Sequence, residues 1–140
     1  MSTKNSHLDW SDEAFLHDFG ACSFPAELFD HEAHLRLAWL HLQQVTIDQA
    51  IILVTQQLKK YVQHLGAAEK YHATVTVAGV ELVHHFLKKG TTSSFEEYLL
   101  KYPMVKTAFK ELINSHYQED IFQCPTAKAH YLAPNWQPFR

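Results

Sequence analysis

Eleven histidines in 140 residues are the side chains in this sequence with the most chemistry to offer. Imidazole is the commonest metal ligand and titrates nearest neutral pH. The eleven are not contiguous, and scattered surface histidines are ordinary, so position must separate useful ones from incidental ones. Two filters apply: angle around a helix and level along a bundle. His31, His34 and His72 pass both. An i, i+3 pair from one helix and a third imidazole from a neighbour is a workable way to build a metal site inside a bundle. Three neutral imidazoles suit a divalent transition metal such as zinc, iron or nickel, with an open position for water or a small polar substrate.

The elements that must hold these residues follow from caps and apolar periodicity. Ser11 with Asp12 and Glu13 opens a short helix to about Phe19 that ends near Gly20. Asp30 caps a second, from about His31 to Gln44, and Thr46 or Asp48 starts a third that Gly66 closes. A fourth is expected from about Glu69 to Lys89, ended by Gly90. Its TVTV segment has strand propensity, but the helical spacing of Val75, Gly79, Val83, Phe86 and Leu87 outweighs it. Overlapping patterns Ser93-x-x-Glu96 and Ser94-x-x-Glu97 open a fifth helix that Pro103 stops, and a sixth covers about Val105 to Tyr117. The expected architecture is all-α, one domain over 1–140, a bundle of about five to six helices. Residues 1–8 are expected to be flexible, and the tail 124–140 to pack extended across the bundle after one helical turn.

On the second helix Leu35, Ala38, Trp39 and Leu42 mark the buried stripe. His31 falls near its middle and His34 roughly 80° aside. On the fourth, His72 aligns with Thr76, Gly79, Val83 and Phe86, whereas His84 and His85 fall about 100° or more away and read as solvated. On the third, Ile47, Ile51, Val54, Leu58, Tyr61 and Leu65 set the core face and His64 lies on the flank, as does His41 on the second. Short loops make neighbouring helices antiparallel, which brings His31, His34, His64 and His72 to one end. His41, His84 and His85 then lie near the other, roughly 18 Å away at 1.5 Å per residue.

Around this site Arg36, Tyr61, His64, Glu69, Tyr71 and Thr76 are the candidates for supporting or substrate contacts. Glu27, Asp30 and Glu69 are the carboxylates at the correct end, Asp30 more simply as a cap. Glu32 is expected to pair with Arg36 at i, i+4 on a solvated face. HEAHL resembles the HExxH zinc-protease pattern by eye, but its second histidine comes one position early, at the wrong helical angle. Trp10, Trp39 and Trp136 read as packing residues, and Lys59-Lys60 and Lys88-Lys89 as charges suited to helix C-termini.

Composition narrows the class further. A hydrophobic fraction of 46% excludes a disordered chain. The net charge of -3, with scattered lysines and only two arginines, argues against a nucleic-acid partner, which needs a concentrated basic face. No apolar run of membrane-span length or signal-peptide form occurs. Cys22 and Cys124 lack metal or redox spacing and read as free thiols of a reducing cytoplasm.

Around FDHEAHLRLAWLHL and KYHATVT the chain resembles a group of small bacterial helical proteins of no assigned chemistry. Their pattern is roughly HxxHLRxAWxYL, then KYHxTxT, then a tail with proline near an aromatic or leucine. His31, His34, Arg36, Trp39, Tyr71, His72, Thr74 and Thr76 occupy the motif positions over about residues 28–140. The resemblance implies a site at these residues without naming a reaction. Ala73 stands where that pattern has glutamate, so any activity needing that carboxylate is in doubt here. A looser likeness to DinB-type bundles, which hold a metal with three histidines, is architectural.

Three readings remain at this level. One is a metal-binding protein or metal-dependent enzyme using His31, His34 and His72. The second is a non-catalytic binding module whose histidines form a structural hydrogen-bond network, with the aromatic tail covering a groove or joining a homodimer. The third is metal-free acid–base catalysis by His72 with Tyr71 or Arg36.

Overall fold

Short polar side chains start the long helices where the sequence places them. In the computed structural model, which describes residues 4–140, Ser11 accepts from the Ala14 N–H to open α1 (Asp12–Gly20), and Asp30 accepts from the Ala33 N–H at 2.9 Å to open α2 (His31–Gln44). Thr46 and Gln49 form a reciprocal capping box at the start of α3 (Ile47–His64). Each cap satisfies N–H groups that the first helical turn leaves without partners. Gly66, at φ 68, closes α3 with a bond from the Ala67 N–H back to the Val62 carbonyl, the six-to-one contact of a left-handed helix stop.

The fourth helix, α4 (Ala73–Leu87), begins later than its periodicity suggests. Glu69 belongs to a 3-10 turn, Ala68–Lys70, and His72 is the N-cap. The TVTV segment is helical. Ser94 caps α5 (Phe95–Lys101) through the Glu97 N–H. The sixth expected helix is two short ones, α6 (Met104–Thr107) and α7 (Phe109–Asn114), broken at Ala108, whose φ of -124° leaves the helical range. A last turn, α8 (Pro125–Ala129), precedes an irregular tail. Eight α-helices and no strand occur among the described residues, five of the helices having seven residues or more. None of them is long and apolar enough to cross a membrane.

Helices α2, α3 and α4 pack on one another, and α4 also meets α7 and α8. Their core includes Leu37, Val54, Leu58, Tyr61, Val80, Leu82 and Val83. Helix α2 is buried without interruption from Leu35 to His41, so it is covered on every face, and its polar groups depend on internal partners, which the indole N–H of Trp39 lacks. His41 does so through the Gln57 side chain at 2.9 Å.

Arg36 is the main departure from the sequence reading. It does not pair with Glu32 on a solvated face. It is 4% exposed and donates to the His7 and Trp10 carbonyls and to Asp12. Glu32 instead accepts from Lys106 at 2.6 Å and contacts His7 Nε2 at 2.9 Å. The start of the chain is correspondingly built rather than loose over its described part. His7 lies in a 3-10 turn, His7–Asp9, at 1% exposure between Phe15 and Phe95. Residues 1–3, included in the flexible start expected from sequence, lie outside the described residues. An i, i+4 rule scores only neighbours on one helix, and a distant segment supplied better partners for both charges.

The tail crosses α4 as expected. Thr74 donates to the His130 carbonyl and accepts from the Leu132 N–H, and Tyr117 donates to the Leu132 carbonyl. Buried Phe139 stacks on His116 at 3.8 Å between ring centroids. His85, expected to be solvated, is half-buried and bonds the Phe139 carbonyl through Nδ1. Arg140 pairs with Glu81 and Asp48. Trp136, expected to pack, is 69% exposed.

Candidate functional site

The antiparallel arrangement brings the start of α2, the end of α3 and the start of α4 together, and a cavity of about 570 Å³ opens between them. His31, His34 and His72 all line it, with Tyr61, Tyr71 and Thr76. Arg36, His64 and Glu69 do not: Arg36 faces the N-terminal segment, and His64 and Glu69 are exposed on the loop side. Most of the wall is apolar, with Leu35, Leu58, Val75 and Val80 from the three helices, and Phe109 and Phe122 from the C-terminal third.

Each histidine is positioned differently. His72 is an N-cap: its Nδ1 accepts from the Val75 N–H at 3.1 Å, so Nε2 carries the proton and donates to the Ile121 carbonyl at 2.9 Å. Both ring nitrogens are therefore engaged, and neither is left to bind a metal. His34 donates from Nδ1 to the Asp30 carbonyl at 2.9 Å and lies against Phe29, ring centroids 4.1 Å apart. That bond leaves Nε2 as a bare acceptor. The His31 ring meets Phe109 edge-on at 4.6 Å.

The surroundings favour the neutral form of these imidazoles, although His31, placed by its helical angle on the buried stripe, is exposed, as is His34, and His72 is half-buried. Desolvation by the cavity wall pushes His34 below the ordinary histidine value although the residue keeps an exposed face, with the Asp30 carbonyl bond opposing and His31 adding to the shift. Burial likewise lowers His31, opposed by the Lys106 backbone, and His72, opposed by its bond to Ile121. Burial raises the phenols, Tyr71 modestly and Tyr61 to about 12. Tyr61 donates to the Phe24 carbonyl at 2.7 Å, and Thr76 donates to the His72 carbonyl at 2.7 Å.

The residues at this end therefore do not fit a three-histidine metal centre as they stand. Among the described residues no three His, Cys, Asp or Glu side chains are grouped to hold a metal ion. The sequence filters placed the three histidines at one cavity but could not see that a helix boundary shifts by four residues and turns His72 into a cap.

The wall residues that sequence reasoning missed are Phe29, Phe109 and Phe122. Phe29 sits one residue before a recognisable cap, a place where apolar residues often pack back on the helix, so a signal existed. Phe109 and Phe122 arrive from more than thirty residues beyond His72 with no local pattern to announce them. The chain matches no protein-family model, no curated protein and no solved structure.

Proposed function

We propose that this protein is a small-molecule binding module whose site is the cavity between α2, α3 and α4. The observation that carries the reading is the cavity itself. Its volume of about 570 Å³ falls within the roughly 300–1,000 Å³ typical of ligand sites, and its mostly apolar wall carries a few placed polar groups, as such sites do. His72 serves the site by fixing the start of α4 and the Ile121 segment that carries Phe122.

The test is a thermal-shift screen of small aromatic and aliphatic compounds on the full chain and on Gly79→Leu. Gly79 lines the cavity, and a Cβ there would meet the Phe109 ring at 3.4 Å, so a leucine side chain would crowd the stretch of wall that Phe109 forms. Ligands that raise the melting temperature of the native chain should lose that effect in Gly79→Leu, each shift being read against that variant's own ligand-free melting temperature. Ligand shifts that survive the crowded cavity would place binding elsewhere and defeat the proposal.

A second reading keeps His31 and His34 as ligands of a divalent transition metal, without His72. It is favoured by the His34 Nδ1–H bond to a backbone carbonyl, the way protein-bound metals' imidazoles are oriented. Elemental analysis of untagged protein tests it: metal lost in both His31→Ala and His34→Ala but retained in His72→Asn supports it, and metal-free native protein defeats it.

A further inference from the structure

Four hydrogen-bond donors at the cavity wall are already committed to backbone carbonyls. Tyr61 donates to the Phe24 carbonyl, Thr76 to the His72 carbonyl, His72 Nε2 to the Ile121 carbonyl and His34 Nδ1 to the Asp30 carbonyl. Each of these groups has satisfied a backbone acceptor with its proton. Of these four, His34 keeps a bare ring acceptor, Nε2; the Tyr71 hydroxyl and the Lys70 ammonium also line the cavity. A ring nitrogen held in one orientation is a specificity device, because a ligand that covers it without offering a proton leaves that acceptor without a partner.

Resting on the small-molecule reading above, we infer that the cavity selects a neutral, mainly apolar molecule bearing a hydroxyl, whose O–H donates to His34 Nε2. A carboxylate would instead set its own lone pairs against that nitrogen. Lys70, the cation at the rim, is exposed, and its attraction is screened by water. An ether of the same shape fits the apolar wall but has no proton to give. The depressed pKa of His34 keeps its Nε2 bare at neutral pH and agrees with this assignment.

The test is calorimetric titration of the full-length protein at pH 7.5 with three probes of one shape: 2-naphthol, 2-methoxynaphthalene and 2-naphthoate. The expected result is 2-naphthol at least tenfold tighter than the ether, with naphthoate weakest. In His34→Phe, which keeps an aromatic ring against Phe29, the preference for naphthol over the ether should fall below threefold. Equal affinity for naphthol and ether would overturn the inference while leaving a working pocket. Naphthoate binding tightest would overturn it in favour of an anion site using Lys70 or a protonated imidazole. A preference that persists in His34→Phe would remove His34 as the acceptor. Absence of binding by all three would overturn both this inference and the pocket reading. The three wild-type titrations decide the class of ligand even if the variant fails to fold.

Discussion

Histidine does opposite things at the cavity and along the tail. Beside the tail, His116 and His85 each bond a carbonyl of the last few residues, and His116 also stacks on buried Phe139. There the imidazoles act as fasteners, and neither lines the cavity. At the cavity His72 is likewise a fastener, but His34 has only one nitrogen tied down and presents the other to an apolar hollow. Residue type is therefore a poor guide to role. His34, His85 and His116 each match one ring nitrogen to a backbone carbonyl, so what singles out His34 is that it lines the cavity.

The contrast can be broken most severely at the tail. Phe139→Ala should cost about 3–5 kcal/mol in denaturant unfolding, as truncation of a buried phenylalanine usually does, because it empties the contact with His116 as well. A loss below about 1 kcal/mol, on the same scale, would mean the tail is draped on the bundle rather than built into it.

A smaller effect is expected at the fastener of the cavity. His72→Ala should lose roughly 2 kcal/mol, combining a lost N-cap with a carbonyl left without its donor. His72→Asn should recover about half, since asparagine is a good N-cap but cannot reach Ile121 in the same way. If asparagine recovers nothing, capping is not what His72 contributes.

The mildest test uses pH. Burial depresses His31, His34 and His72, and also His41 and His84. Between those lowered values and the ordinary histidine value near 6.5, the unfolded chain binds more protons than the folded one, so stability rises with pH. The contribution is complete above about 6.5 and is lost as pH falls through the folded-state values. The lowered carboxylates, such as Glu32 held by Lys106 and His7, act in a separate window at lower pH. Urea midpoints measured from pH 7.5 to 5 should therefore decline, and His72→Asn should decline less steeply. A flat profile in the native chain would show that the imidazoles are not held neutral.

Much of the fold was legible because it rests on local chemistry. Ser11, Asp30, Thr46, Ser94 and Gly66 start or stop helices by bonds to groups within a few residues, and each does so where the pattern places it. The antiparallel order of α2, α3 and α4 follows from short loops, and that alone brought His31, His34, Tyr61, Tyr71, His72 and Thr76 to one cavity. Arg36 and Glu32 were misread because both are satisfied by distant chain: His7, Trp10 and Asp12 for the one, His7 and Lys106 for the other.

The sequence by itself thus determined that the chain is all-helical and which ends of its long helices meet, since caps and the 3.6-residue period act over single turns. Only the tertiary structure decided what the histidines at that meeting point are free to do. A ring nitrogen's availability depends on the backbone groups that packing sets beside it, here the Val75 N–H and the carbonyls of Ile121 and Asp30. The Ile121 carbonyl lies 49 residues from His72 in the chain, a separation across which helical periodicity carries no information.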